Sequence, residues 1–533
     1  MNKQRIPLKL VLAAISNYVD IVVRPIKQNP ILGILIYVFL FLLDVLCKIK
    51  EGDSLLVALY GFFVCYILMI PLLFAKEISK LYRIALLSFS TFIFLINILC
   101  VIFYGRSIDG DIIGTVKATN ISETFEYLTI YFRWEFVVTV VLFVVIIYIF
   151  YARLKDKRLI LGLLGNGIFV VLILLSFICF VRDINIIRKL SVYKTMWIFT
   201  SGVPDLRNYR QKPVLSVNNN TPENVVMVIG ESYAKSQSSL YGYEKLTNPK
   251  LGRLYSDGKL NVFQNVNCYA YLTIPSIKSI MAAYTDDSAV DWYRCLTLID
   301  IMSQAGYTTC WISNQSKKGI ADNEVGRYAE LCDMEFFVGN KYAGLNRKNL
   351  DEEILPLLQT YLDNYGGKNF IVIQLMGSHH AFSLRYPKTY SVFKAVDYSE
   401  THKNLSYDNR QLLAEYDNSV LYNDSVVYEI IQCFANREAV LFYFPDHGID
   451  AFKSSNDYIG HANSAKSQEY GRQIPFMVYT TEKFKEKYPQ IEEKMWQAVD
   501  VPYRTDSIMY TIMDVAGIET VNGVSYKIKS LFK

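Results

Sequence analysis

The stretch VVMVIGESYAKSQSSLYGY, Val225–Tyr243, decides how the region around it is read. Its first five residues are apolar, Gly230-Glu231-Ser232 closes the run, and a serine-rich polar tract follows. An apolar run of this kind, bounded by glycine and polar residues, reads as a strand buried on both faces. Glu231 then stands at the carboxyl tip of a buried strand, where a carboxylate needs a partner. Two partners remain open at this point: the positive end of a following helix, or a metal ion.

Working outward, Thr308–Ile312, Phe370–Leu375, Ala439–Phe444 and Pro475–Tyr479 read as further buried strands. Residues 351–364 and 408–434 between them carry helix-like periodicity. Strands alternating with helices predict an α/β layer fold with a mainly parallel central sheet. Ligands of such sheets gather outside the carboxyl ends of the strands. Three strands here end in polar residues: Glu231-Ser232, then Gly377-Ser378-His379-His380, then Asp446-His447-Gly448.

The first 181 residues are different in kind and supply much of the 52% apolar content. Five segments, at about 31–47 (ILGILIYVFLFLLDVLC), 54–75, 84–104, 135–152 and 159–181, have the length and apolarity of membrane spans. The first is short and contains Asp44. Cations cluster before the first span (Lys3, Arg5, Lys9, Arg24, Lys27), between the second and third (Lys76, Lys80, Arg83) and between the fourth and fifth (Arg153, Lys155, Lys157, Arg158). The positive-inside rule therefore predicts a cytoplasmic N-terminus and an exported region after the last span. No cleavage pattern precedes the first span, so no removed signal peptide is expected. Three parts follow: 1–181 as a five-helix membrane domain, 182–222 as a connector, and 223–533 as an exported domain. The connector opens on RDINIIRKLSVYKTMWIF, an interfacial or a plain linker helix, and ends in the loop-like KPVLSVNNNTPEN.

A net charge of +5 over 533 residues, with no basic cluster interleaved with aromatics, argues against a nucleic-acid partner. Cys47, Cys65, Cys100 and Cys179 fall in or beside the spans. Cys268, Cys295, Cys310, Cys332 and Cys433 fall in the exported part, an odd number that leaves at least one thiol free within the chain. The absence of C-x-x-C argues against a thiolate zinc site.

Asp446-His447 and Glu231 offer oxygen and imidazole donors suited to zinc, from strand tips that would converge at one end of the sheet. A nucleophile is less easily read. Ser232 sits in G-E-S rather than G-x-S-x-G, so the hydrolase elbow is absent. The stretch FQNVNCYAYLTIPSIKSIMAAYT, 263–285, offers Cys268, Thr273 and Ser276. Pro275 predicts a helix start near it, with Thr273 as its cap or as a hydroxyl presented to phosphate.

Several motifs together resemble the membrane phosphoethanolamine transferases of the alkaline-phosphatase/sulfatase-like superfamily. They are Gly230-Glu231-Ser232 with Ser239-Leu240-Tyr241-Gly242-Tyr243, Phe263-Gln264-Asn265-Val266 leading to Thr273-x-x-Ser276, Trp311-x-x-Asn314 with Lys318-Gly319, Met376-Gly377-Ser378-His379, and Asp446-His447-Gly448. The resemblance implies a multi-domain protein: a five-span helical bundle in a bacterial inner membrane and a periplasmic, sulfatase-like α/β domain. It implies zinc, one ion or two, held by Glu231, Thr273, Asp446 and His447, with Thr273 as the catalytic nucleophile. His379, His461 and Lys318 would contact the phosphoethanolamine group, and Asn120 and Glu123 would help to hold the lipid. The donor would be phosphatidylethanolamine, the acceptor an envelope glycolipid or glycan such as lipid A or lipopolysaccharide core, and the protein a monomer.

The sequence departs from the family in three places. Ile449 replaces the acid of D-H-G-E, with Asp450 next to it; Lys235 stands where arginine is common; and five cysteines cannot make the dense disulfide set of many members. Two other functions stay open on the sequence: a glycerol-phosphate transferase using phosphatidylglycerol, as in lipoteichoic acid synthases, and a non-catalytic membrane scaffold. A sulfatase is disfavoured, since no C/S-x-P-x-R motif surrounds Cys268–Pro275.

Overall fold

A computed structural model describes residues 204–532 apart from 286, 318–323, 339–349 and 462–464, together with the isolated positions Ser16, Val137 and Val141. Apart from Val137 and Val141, the five predicted spans lie outside the described residues, as do the basic stretch after them and Asn120, Glu123 and Lys318. Among the described residues no helix is long and apolar enough to cross a membrane.

Among the described residues nine strands have three or more residues: β1 (Leu215–Val217), β2 (Asn224–Gly230), β3 (Leu260–Phe263), β4 (Thr308–Ser313), β5 (Met334–Phe337), β6 (Asn369–Gln374), β7 (Ala439–Pro445), β8 (Phe476–Thr480) and β9 (Ile518–Val521). Seven form one sheet in the order β3-β8-β7-β2-β6-β4-β5. Strands β7, β2, β6, β4 and β5 are parallel, while β8 runs antiparallel to both its neighbours. The sheet is therefore mixed, with a parallel centre. All five predicted strands form within a residue or two. The two that went unread, β3 and β5, have four residues each at the sheet edges, too short to show a period.

Every residue of β2 is buried. Val225, Met227 and Ile229 enter the core on one face, Val226 and Val228 the core on the other. This period of two inside an unbroken apolar run is what helices on both faces of a parallel sheet require. Each such side chain removed from water contributes roughly 1.5–3 kcal/mol. Helices α1 (Thr273–Met281), α2 (Leu355–Asn364), α3 (Tyr407–Cys433) and α4 (Ala465–Arg472) matter most for the site.

The tract read as loop-like before β2 behaves otherwise. Leu215–Val217 pairs antiparallel with Ile518–Val521, so part of the connector is a strand of this domain. Three residues flanked by Pro213 and an asparagine run carry no readable period; the pairing comes from a partner 300 residues downstream.

Candidate metal centre

The carboxyl ends of β2, β7 and β6, neighbours in the sheet, bring Glu231, Asp446-His447 and the 376–380 loop together. The three chain segments are tied by backbone bonds. Asp446 N–H donates to Gly230 O at 3.1 Å, Tyr233 N–H to His447 O at 3.2 Å, and Ser378 N–H to Glu231 O at 3.0 Å. Gly377, at φ 52°, is needed for this approach. A Cβ there would stand 2.7 Å from Glu231 N and 2.8 Å from Glu231 O.

Glu231, Asp446 and His447 are 2%, 1% and 1% exposed, so their charges are taken wholly out of water. Their ligating atoms lie within 4.8 Å of one another. His447 Nδ1 faces Gly448 O at 2.8 Å; donating there, it turns Nε2 toward Glu231 Oε1, 3.2 Å away. Burial raises the Asp446 carboxyl, the charge of Glu231 raises it further, and it stands at about 7. Burial works against protonated His447, but Asp446 and Glu231 outweigh it and lift the imidazole to about 9. Burial likewise works against the Glu231 carboxylate, but the His447 charge and hydrogen bond outweigh it and hold the carboxyl well below the ordinary range.

Thr273 completes the group. Its Oγ1 lies 3.3 Å from His447 Nε2 and 3.4 Å from Glu231 Oε2. The expectation of a helix starting at Pro275 with Thr273 as cap is corrected. Leu272 is the N-cap, without a side-chain bond, and Thr273 is the first helical residue. With its backbone already in the helix, its hydroxyl is turned to the cluster. The rival nucleophiles are disposed of locally. Ser276 Oγ donates to Ala270 O at 2.7 Å, and Cys268, fully buried, has its thiol pushed far up by burial.

His379 follows β6 in the same loop, and the His461 ring lies 4.7 Å from that of His447. Burial, then the charge of His447, holds His461 well below its usual pKa, which keeps it neutral. Asp450 does not stand in for the missing acid of D-H-G-E. Its carboxylate accepts from the Lys453 and Ser454 N–H groups and braces its own loop. The five described cysteines are free thiols.

Sequence reasoning missed two supports. Gln315 Nε2 donates to Glu231 Oε2 at 3.3 Å and to Leu375 O at 3.1 Å. Asp351, buried, accepts from Met376 N–H and Gly377 N–H at 2.8 Å each, and from Asn314 at 2.7 Å. Gln315 lay inside the Trp311–Gly319 motif; Asp351 reads only as a first-turn acid of a helix.

The residues fit a divalent cation. Asp446 Oδ2 is buried and has no hydrogen-bond partner among the described residues, and two carboxylates share one buried site with a single imidazole. Two carboxylates, an imidazole nitrogen and a hydroxyl are a donor set that zinc accepts. The sulfatase family profile matches residues 223–518, more than half of the sequence. The chain belongs to the sulfatase family. Among curated relatives, phosphoethanolamine transferase EptC of Escherichia coli K12 is 26% identical over 450 residues, covering 78% of this chain and 76% of that one. The zinc complex of the C-terminal periplasmic domain of E. coli EptC superposes with a TM-score of 0.54 at 27% identity, covering 60% of this chain and 90% of that domain. The integral membrane protein lipooligosaccharide phosphoethanolamine transferase A of Neisseria meningitidis shares the fold, with a TM-score of 0.63 at 19% identity over 89% of this chain and 91% of that one.

Proposed function

We propose that this protein is a zinc-dependent phosphoethanolamine transferase that takes its donor from phosphatidylethanolamine. The observation that carries the reading is the Thr273 hydroxyl, 3.3 and 3.4 Å from two members of a buried Glu-Asp-His cluster. Zinc held by Glu231, Asp446, His447 and Thr273 would lower the pKa of the Thr273 hydroxyl and neutralise charge on the phosphoryl oxygens. Thr273 loses its proton to solvent and bonds to phosphorus through Oγ1 while the phosphorus–glyceryl oxygen bond breaks. His379 delivers a proton to the departing diacylglycerol oxygen. His461, whose ring lies 4.7 Å from that of His447, takes the proton of the acceptor oxygen, which then displaces Thr273 in a second in-line step. Lys318 contributes charge to the phosphoryl group.

The five predicted spans and a fold likeness covering 89% of the chain support a protein of the bacterial inner membrane with its catalytic domain in the periplasm. A lipid donor explains why a soluble-looking domain would be tethered there. The acceptor is an envelope glycolipid or glycan. The test is intact-mass spectrometry of the detergent-purified chain after incubation, without acceptor, with phosphatidylethanolamine or phosphatidylglycerol. A phosphoethanolamine adduct on Thr273 is expected. A glycerol-phosphate adduct would reassign the donor, and a zinc-loaded chain that forms neither adduct would overturn the covalent scheme.

A further inference from the structure

One face of α3 lies beneath the metal centre and takes no part in the chemistry above. Tyr416 on that face is fully buried. Its hydroxyl donates to Ser232 O at 2.8 Å and accepts from Ala234 N–H at 2.8 Å. These two bonds clamp the turn 232–234. At the start of that turn Ser232 is held at φ 53°, a left-handed conformation that a residue with a side chain resists. The Ser232 hydroxyl donates to Glu231 Oε1 at 2.7 Å. In the middle of the turn, Tyr233 N–H holds His447 O at 3.2 Å. One helical turn along α3, Ser419 Oγ donates to Tyr416 O at 2.6 Å and lies 2.9 Å from Ser378 Oγ, and Ser378 N–H reaches Glu231 O at 3.0 Å.

We propose that Tyr416 is a positioning residue for the metal centre: by clamping one turn, its hydroxyl aims Glu231 and His447 at the same cation. The inference rests on that cluster holding zinc. Without the clamp, two buried backbone groups lose their partner, Ser232 is released from its left-handed conformation, and both ligands lose their common support. Groups behind metal ligands commonly set affinity in this way.

Tyr416→Phe keeps the ring and removes only the hydroxyl. Tyr398→Phe is the matched control. Tyr398 is equally buried, and its hydroxyl donates at 2.5 Å to Asp417, the neighbour of Tyr416 on α3, but it bonds to none of the ligand turns. Zinc affinity of the full-length chain in detergent is read by competition with a chromogenic chelator, and Tm is read on the metal-free protein. Tyr416→Phe is expected to weaken zinc binding roughly 10–100-fold, Tyr398→Phe less than about twofold, with similar losses of metal-free Tm. Wild-type affinity in Tyr416→Phe, or equal weakening in both variants, overturns the proposal while leaving the zinc site in place. A wild-type chain that takes up no zinc overturns the metal reading and this inference with it.

Discussion

The two ends of the central strands bury polar groups in opposite ways. At the amino ends, Asn224 donates to Glu438 O at 2.9 Å, Asn369 donates to Asn224 Oδ1 at 3.1 Å, and Tyr361 donates to Asn369 Oδ1 at 2.9 Å. Glu438 there accepts from Glu223 N–H, Tyr488 and Lys487. Every side-chain polar atom of Asn224, Asn369 and Glu438 is paired. At the carboxyl ends, Asp446 Oδ2, His379 Nδ1 and His461 Nδ1 are buried atoms with no hydrogen-bond partner among the described residues. Both ends bury polar atoms, so burial alone does not mark a site. What distinguishes the carboxyl ends is that such unmatched atoms stand beside a cluster of two carboxylates and an imidazole able to share one cation.

That contrast can be broken most directly at Thr273. Thr273→Ala should reduce phosphoethanolamine transfer by roughly 10⁴-fold or more while leaving Tm near wild type. Turnover within tenfold of wild type would remove the nucleophile from the carboxyl end. Next in size, His447→Ala should strip most of the bound zinc, because it takes away one donor of a small set. Elemental analysis showing full stoichiometry would move the metal elsewhere.

Asp417 sharpens the comparison from behind the site. It is buried on α3, and its Oδ1 has no donor among the described residues. Burial pushes its carboxyl up from 3.8 to about 7, against hydrogen bonds from Tyr398 and Tyr243 that favour the charged form. The folded chain thus keeps a proton that the unfolded chain has released, so the contribution to stability is full below 3.8 and is lost as pH rises toward about 7. Asp417→Asn should flatten that decline, worth up to roughly 4 kcal/mol, in Tm measured across the window. An unchanged pH profile would mean that Asp417 is charged throughout. The smallest effect is expected at the amino ends. Asn369→Ala should cost about 1–3 kcal/mol of stability with zinc affinity unchanged. A loss of zinc there would show the two ends to be coupled.

The central strands, the long helix α3 and the polar strand tips were legible in the sequence because apolar runs and their terminators are local signals. Glu231, Asp446 and His447 were legible for the same reason, each following a strand that announces itself. Thr273 was visible as a hydroxyl among three candidates. The family resemblance pointed to it, and in the structure Ser276 is bonded to Ala270 O and Cys268 is sealed in the core, while the Thr273 hydroxyl faces the cluster.

What the sequence determined by itself is the α/β layer order and the chemistry available at the strand tips. Those follow from hydrophobic period and residue type, which need no partner in space. What only the tertiary structure decided is how that chemistry is held. The Tyr416 clamp spans 184 positions to Ser232, Gln315 reaches back 84 to Glu231, and Asp351 forward 26 to Gly377. A hydrogen bond across such separations leaves no period and no motif in the chain. It exists because the sheet order places β2 between β7 and β6, and that order is a property of the whole core.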